Sequence, residues 1–107
     1  MTVQAVFAAL ADPTRRMLIE KLTDEGAKTA TQLADELPIT RQGVTKHLKL
    51  LADAGLVRVH QRGRDKYYYL NPEPLADATS WIGAIAARWD ERLAALSDLL
   101  ESDEGED

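Results

Sequence analysis

The spacing of apolar residues changes at one point in this chain, Gly55, and that change restricts the possible folds more than any other feature of the sequence. Before Gly55, apolar residues recur three and four positions apart, as they do along one face of an α-helix. From residue 56 they alternate with polar residues, so 56–60 and 66–70 are predicted strands with Gly63 in the loop between them. The pattern predicts helices interrupted by one β-hairpin.

Proline and capping residues divide the helical part of the chain into separate helices. Asp12-Pro13 supplies an N-cap and a first-turn proline, Pro38 cannot continue the helix before it, and Thr40 is the expected cap of the next. The predicted helices span 2–11, 13–23, a short segment from Thr29 or Thr31 to Leu37, a segment from Thr40 to Gly55, and 75–100. This order predicts a mainly α fold with a β-hairpin wing, in outline a winged helix-turn-helix with a long C-terminal helix.

The charges of the chain are unevenly distributed, although their sum is −5. The last seven residues carry five acids and no base, whereas segment 40–70 carries seven lysines and arginines against two aspartates. Because phosphate groups attract a local cluster of cations whatever the net charge, this segment is expected to face double-stranded DNA. The acidic tail is expected to repel non-specific DNA.

The helix that begins at Thr40 is the predicted recognition helix, because in helix-turn-helix proteins the first residues of the second helix reach base edges in the major groove. Arg62 and Arg64 flank the hairpin tip, where guanidinium groups can reach phosphates or a narrow minor groove. Glycine is unfavourable inside a helix. Its presence at position 43 is explained either by close approach of the backbone to DNA or by tolerance of glycine near a helix start. The predicted DNA-binding residues are Thr40, Arg41, Gln42, Gly43, Thr45, Lys46, His47, Lys49, Arg62 and Arg64.

The last predicted helix has an apolar seam that so small a domain cannot cover by itself. Its large apolar residues recur at spacings of three and four. Extended apolar patches normally mark contact surfaces, so this helix is expected to pair with a second copy around a two-fold axis, together with residues of the first helix. The predicted dimer residues are Val3, Val6, Phe7, Trp81, Ile82, Ile85, Trp89, Leu93, Leu96 and Leu100.

The sequence offers little for catalysis or metal binding. It contains no cysteine and only two histidines, His47 and His60, so three or four zinc ligands cannot be assembled. His47 is expected to pack or to contact a phosphate rather than to bind a metal. There is no glycine-rich phosphate loop, nucleophile elbow or HExxH pair. The chain is therefore predicted not to be an enzyme and to need no metal or other cofactor.

Length and hydropathy predict one domain, 1–100, followed by an acidic disordered tail, 101–107. No stretch approaches the roughly 20 apolar residues that span a bilayer, and the chain does not open on a secretory signal. The protein is expected to be cytoplasmic, with no membrane partner.

Three runs of residues resemble those of ArsR-type bacterial repressors. The runs are FAALADPTRR from Phe7, VTKHLKLL from Val44 and AGLV from Ala54, and they occur in the order and spacing usual for that family. The resemblance covers roughly residues 3–100. It implies a dimeric winged-helix repressor whose terminal helices form the dimer interface, and it supports the recognition-helix and hairpin-tip residues named above as the DNA-binding surface.

The sequence departs from the metal-sensing members of that family. Many ArsR-type proteins bind metals through cysteines in the helix before the recognition helix, or through Asp and His pairs on the last helix. In this chain the helix before the recognition helix reads Thr31-Gln32-Leu33-Ala34-Asp35-Glu36, without cysteine, and the last helix has no histidine. The chain is similar instead to metal-independent members, some of which act as constitutive or self-regulating repressors.

These features predict a sequence-specific repressor that binds a pseudo-palindromic operator as a homodimer and blocks RNA polymerase. Two alternatives stay open at this point. One is a repressor released by a small organic effector between the terminal helices of the dimer, an effector that the sequence does not identify. The other is a winged helix used only for protein–protein contact. Neutralising Arg62 and Arg64 distinguishes a DNA-binding repressor from a protein-contact module, because a contact module would lose little DNA affinity.

Overall fold

The computed structural model describes residues 3–105, with side chains for residues 3–102, and within that range it contains five helices and one antiparallel hairpin. The helices are α1 (Val3–Leu10), α2 (Pro13–Glu25), α3 (Ala30–Glu36), α4 (Arg41–Asp53) and α5 (Glu73–Gly105), and the strands are β1 (Val57–Arg62) and β2 (Asp65–Leu70). The predicted fold class is confirmed. The first residue of the predicted helix 2–11 and the last two of the predicted tail lie outside the described residues.

Side-chain caps explain where α2 and α3 begin. The Arg15 N–H donates to Asp12 Oδ2 at 3.1 Å, and Pro13 occupies the first turn of α2. At the start of α3, Thr29 and Gln32 form a reciprocal capping box. Each cap satisfies backbone donors that the first helical turn leaves without a partner, and a cap of this kind contributes about 1 kcal/mol.

Arg15 and Arg16 of α2 bind the C-terminal end of α1, on the other side of the turn between the two helices. Arg15 Nε donates to the carbonyl of Ala9 at 2.6 Å, and Arg16 Nη1 donates to the carbonyl of Leu10 at 2.7 Å. Both arginines thereby satisfy carbonyl groups at the C-terminal end of α1, where positive charge also complements the helix dipole.

The core lies between α2, α3, α4 and the base of the hairpin. The predicted inner stripe of α4, Val44, Leu48 and Leu51, is completely buried. Full burial of each such side chain stabilises the fold by roughly 1.5–3 kcal/mol. The buried residues of α2 are Leu18, Ile19 and Leu22, whereas Met17 is 37% exposed.

The hairpin is longer and its turn tighter than the sequence suggested. β1 and β2 pair from Val57 opposite Leu70 at the base to Arg62 opposite Asp65 at the tip. Only residues 63–64 connect them, and Gly63 has a φ of +63°. A two-residue connection with glycine first is typical of a type II′ turn, which matches the twist of paired strands.

Lys28 adds a short third edge to the hairpin. Its backbone N–H donates to the carbonyl of Tyr68 at 3.0 Å, and the Tyr68 N–H donates back to the Lys28 carbonyl at 2.8 Å. These two bonds attach β2 to the loop between α2 and α3. The hairpin is therefore held against the helical core at its base, while its tip projects.

Helix α5 packs against α1 at its start and then extends away from the body. Ala78 is buried, but almost every residue from Trp81 onwards is exposed, and the longest dimension of the molecule is 76 Å. The helix continues through residues 101–105, which were expected to be an unstructured tail. Adding residues to an existing helix is easy once it has been nucleated, and glutamate is a good helix former. Within residues 3–105, no helix combines the length and the apolar character needed to cross a membrane.

Candidate nucleic-acid interface

Helix α4 presents a polar face opposite its buried stripe. The side chains on that face are exposed and include two lysines and one arginine within thirteen residues. They are Arg41, Gln42, Thr45, Lys46 and Lys49. All five belong to the predicted DNA-binding set, and the fold leaves each of them accessible. An α-helix with such a face fits the width of the major groove of B-DNA.

Thr40 and Gly43 shape the first turn of α4. Thr40 Oγ1 accepts a hydrogen bond from the Gly43 N–H at 3.1 Å, so this hydroxyl caps the helix as predicted. A Cβ atom at Gly43 would lie 2.9 Å from Ile39 Cγ2 and 3.2 Å from Thr40 Oγ1. A side chain at position 43 would therefore crowd Ile39, and the neighbouring atoms would have to move. This is a reason that neither interpretation of Gly43 from the sequence had considered.

His47 differs from the other predicted DNA-binding residues of α4 because its side chain turns inward. It is only 23% exposed, and its Nδ1 lies 3.9 Å from Asp12 Oδ2. That nitrogen is buried and has no hydrogen-bond partner within the described part of the chain. The ring thus faces the start of α2 rather than the outer surface of α4.

The hairpin tip places its two arginines on different sides of the sheet. Arg62 lies on the outer face with His60, Tyr67 and Tyr69. Arg64 follows Gly63 in the turn and reaches the side that faces α4. Both side chains are exposed, and Gln61 Nε2 stiffens the turn by donating to the Gly63 carbonyl at 3.0 Å.

A groove of about 560 Å³ separates the start of α4 from the hairpin tip. We call it the polar groove; its lining includes Thr31, Gln32, Arg41, Thr45, Arg64 and Lys66. Its three cations are Arg41 from α4 and Arg64 and Lys66 from the hairpin, and the carboxylate of Asp65 lies beside them. Because phosphates are anionic and hydroxyl and amide groups donate hydrogen bonds to them, the groove can hold the sugar-phosphate backbone of one DNA strand.

The structure brings only some of the predicted DNA-binding residues together. Arg41, Thr45 and Arg64 meet in the polar groove, whereas Lys46 and Lys49 lie outside it on the exposed face of α4. Lys66 lines the groove although it was absent from the predicted set. Strand alternation could have identified it, because Lys66 and Tyr68 share one face of β2 and Tyr68 packs towards the core.

An ion-pair cluster fixes α3, the first helix of the helix-turn-helix, to the end of α2. Lys21 Nζ lies 2.9 Å from Glu25 and 3.3 Å from Glu36, and Lys28 Nζ lies 3.3 Å from Glu36. The hydrogen bonds to Glu25 and Glu36 raise the pKa of Lys21. Partial burial opposes ionisation of Glu36, but hydrogen bonds from Lys21 and Lys28 outweigh it and hold the pKa of Glu36 below its usual value.

The apolar seam of α5 is exposed in the isolated chain. Trp81, Ile82, Trp89, Leu93, Leu96 and Leu100 are each between 48% and 62% exposed, and Ile85 is half-buried. Leu99, which widens the same seam, is 61% exposed beside them. The exposed side chains follow one side of a helix that has no neighbour of its own beyond its first turns.

The three residues of α1 predicted at the same interface have different environments. Phe7 packs edge-to-face on Trp81, with ring centroids 5.5 Å apart, and Val3 is partly buried beside the core. Val6 is 1% exposed and belongs to the core of its own chain, so it was wrongly predicted to face a partner. Its side chain packs among the buried residues of the chain's own core, whereas Phe7 at the next position contacts α5.

The described residues, 3–102 where side chains are concerned, contain no group of three or more His, Asp or Glu side chains arranged to hold a metal ion. His60 lies on the outer face of the hairpin, and His47 lies between α4 and the start of α2. The two imidazoles therefore belong to different sides of the molecule.

Comparison with known proteins gives relatives over most of the chain. A family model described as a helix-turn-helix domain matches residues 10–60. The chain is 35% identical to the transcriptional repressor SdpR of Bacillus subtilis (strain 168), with 72% of this chain and 84% of that protein covered. It is 36% identical to the HTH-type transcriptional regulator Rv2034 of Mycobacterium tuberculosis, with 92% and 88% covered.

The fold is also found among solved structures. An ArsR-like transcriptional regulator from Rhodococcus sp. RHA1 superposes with a TM-score of 0.80 at 36% sequence identity, and the match covers 91% of each chain. A match over 91% of the chain has to include most of the helical core, of the hairpin and of α5.

Proposed function

Because this chain belongs to the ArsR-type winged helix-turn-helix transcriptional regulators, which are DNA-binding proteins and not enzymes, we propose that it represses transcription as a homodimer on a pseudo-palindromic operator. The observation that carries the proposal is the polar groove, where Arg41 of α4 and two cations of the hairpin line one channel. Such a channel matches the path of a phosphate backbone between a major groove occupied by α4 and a minor groove next to the hairpin tip.

Within this arrangement the residues of α4 have different tasks. Gln42 and Lys46 are exposed on the outer face near the helix start and reach base edges, where glutamine pairs with adenine and lysine with guanine. Arg41, Arg64 and Lys66 bind phosphates in the polar groove. Thr40 keeps its cap and thereby sets where α4 begins.

The homodimer is supported by the exposed seam of α5. Several large apolar side chains, including both tryptophans, are about half exposed along one side of this helix. A second copy is the occupant best matched to them, because a two-fold axis brings the same apolar surface from both chains together. Phe7, in contact with Trp81, extends that surface onto α1. Two recognition helices related by the axis would read half-sites about one helical turn apart, ~34–36 Å.

We propose that operator binding requires no metal. Zinc and related ions need three or four convergent ligands, often thiolates. The chain has no cysteine, and its two histidines lie on different elements, His47 on α4 and His60 on β1. Repression then follows from occupation of promoter DNA by the dimer, and the acidic end of the chain reduces binding to unrelated DNA by repulsion.

Charge variants measured across a salt series test the proposal. Each phosphate contact that is removed reduces the slope of log K against log salt by about 1. Arg41→Gln, Arg64→Gln and Lys66→Gln should each show that reduction on the same operator fragment. Arg58→Gln is the matched control, because Arg58 lies opposite Tyr69 at the base of the hairpin, on its outer face. Equal losses in all four variants would show that the groove is not the DNA site, and no loss in any would favour a protein-contact module.

A further inference from the structure

His47 and Asp12 connect the recognition helix to the turn before α2. His47 Nδ1 lies 3.9 Å from Asp12 Oδ2, which is beyond hydrogen-bond distance, and it is buried without a hydrogen-bond partner within the described residues. A buried polar atom without a partner is unfavourable. A movement of about 1 Å would bring it within hydrogen-bond distance of the carboxylate.

The His47 imidazole lies beside one carboxylate, that of Asp12. The backbone N–H of Arg15 donates to Asp12 and holds the pKa of its carboxyl below the usual value, so Asp12 is negative at neutral pH. The Arg15 guanidinium is the other charged group beside the pair, and it is already hydrogen-bonded to carbonyls of α1. Lys46 and Lys49 are one and two positions away on α4, where side chains do not face each other.

Asp12 lies where a bond to His47 would affect the orientation of the recognition helix. Asp12 caps α2, and Arg15 and Arg16 hold α2 to the end of α1. Helix α1 in turn contacts α5 through Phe7 and Trp81. A bond from His47 to Asp12 would therefore fix the angle of α4 relative to the part of the molecule that carries the apolar seam.

We propose that protonated His47 donates a hydrogen bond from Nδ1 to Asp12 and so holds the recognition helix in the orientation that binds DNA. This inference rests on the DNA-binding function proposed above. A protonated imidazole is a hydrogen-bond donor at both ring nitrogens, so operator affinity should rise when the pH is lowered from 8 to 6. His47 is a positioning residue that acts through α4, and it does not itself bind a phosphate.

Operator affinity measured between pH 8 and pH 6 tests the proposal. Wild-type protein should bind about three- to ten-fold more tightly at pH 6, as expected for one charge-assisted hydrogen bond gained. His47→Gln should show little of this dependence, because an amide donates without titrating. Asp12→Asn should also show little, while asparagine still caps α2. His60→Gln removes the only other histidine and should keep the wild-type pH profile.

The salt dependence separates positioning from direct contact with DNA. If protonated His47 bound a phosphate, the salt slope at pH 6 would fall by about 1 in His47→Gln, and Asp12→Asn would keep its pH dependence. Either result would overturn the proposal. Positioning through Asp12 predicts an unchanged salt slope in both variants.

A measurement on the protein without DNA keeps this inference distinct from the proposed function. In the free wild-type chain at pH 6, the ring ¹⁵N resonances of His47 should move on the Asp12→Asn substitution, and those of His60 should not. Unchanged His47 resonances would contradict the contact whatever the protein binds. Failure of all variants to bind DNA, together with a shifted His47 resonance, would instead refute the DNA-binding function and leave the contact established.

Discussion

Phe7 of α1 and Trp81 of α5 meet edge-to-face, with ring centroids 5.5 Å apart, while Trp81 stays 51% exposed. This contact fixes the start of the long helix to the body and leaves one side of the same indole available. Aromatic pairs of this geometry contribute roughly 0.5–1.5 kcal/mol beyond their buried area. The apolar seam that begins at Trp81 is therefore held to the body at its start, and its side chains remain exposed.

The first prediction concerns pairing through that seam. Leu96→Glu places a charge among the apolar side chains and should convert the dimer to a monomer, because an unpaired carboxylate would have to be buried. Ala87→Glu is the control, since the 3.6-residue period places Ala87 on the opposite side of α5. Sedimentation equilibrium gives the mass of each variant. Equal masses for Leu96→Glu and the wild type would show that the seam is not the dimer interface.

The second prediction concerns the close approach of Ile39 to Gly43. Gly43→Ala should destabilise the protein by about 1–3 kcal/mol in urea unfolding, because the new methyl group would meet Ile39 Cγ2. Gly83→Ala provides the comparison, since nothing lies near a Cβ atom at that position of α5, and it should be neutral or stabilising by up to about 1 kcal/mol.

A double variant makes the Gly43 prediction specific. Ile39→Ala removes the atom that the new methyl group would meet, so Gly43→Ala should cost less in that background. An undiminished cost in the Ile39→Ala background would mean that the clash is not what requires glycine at this position.

The third prediction separates base reading from phosphate binding. Gln42→Ala should change which base is preferred at one operator position, at a cost of about 1–3 kcal/mol for the original base. Lys66→Gln should weaken binding to all sequences by a similar factor. Affinities for a panel of single-base operator variants distinguish the two effects. A uniform loss in Gln42→Ala would move Gln42 from the base-reading group to the backbone-binding group.

The fourth prediction follows from the ion pairs of Glu36. The folded-state pKa of Glu36 lies below the usual value of 4.5, so its contribution to stability is present above that pH and is lost as the pH falls through the folded-state pKa. Glu36→Gln should therefore lower the unfolding temperature at pH 7 but make no difference at pH 2. Asp35→Asn, on the exposed side of α3, is the control. A constant difference between wild type and Glu36→Gln at both pH values would rule out an electrostatic origin.

Features that depend on neighbouring residues could be predicted from the sequence. The Asp12-Pro13 helix start, the cap at Thr40, the buried stripe of α4 and the hairpin around Gly63 all follow from local spacing and residue type. The family resemblance rested on the same local runs. These signals were sufficient for the fold class and for the exposed face of the recognition helix.

Features that depend on which elements meet in space were missed. Nothing in the local pattern shows that Arg15 returns to α1, that Lys28 pairs with Tyr68, or that His47 faces Asp12. The assignment of Val6 to a partner surface failed for the same reason, because apolar spacing identifies an apolar face but not what covers it. Only the three-dimensional packing assigns that face to the chain's own core.

Selection from a random-sequence DNA library, with EDTA present throughout, shows whether the chain recognises a DNA sequence without metal. We expect enrichment of an inverted repeat whose half-sites are about one helical turn apart, bound by two copies of the chain, with a steep negative dependence of log K on log salt. Enrichment of no motif, or weak binding of equal strength to all sequences, would contradict the assignment of this chain as a metal-independent, sequence-specific repressor.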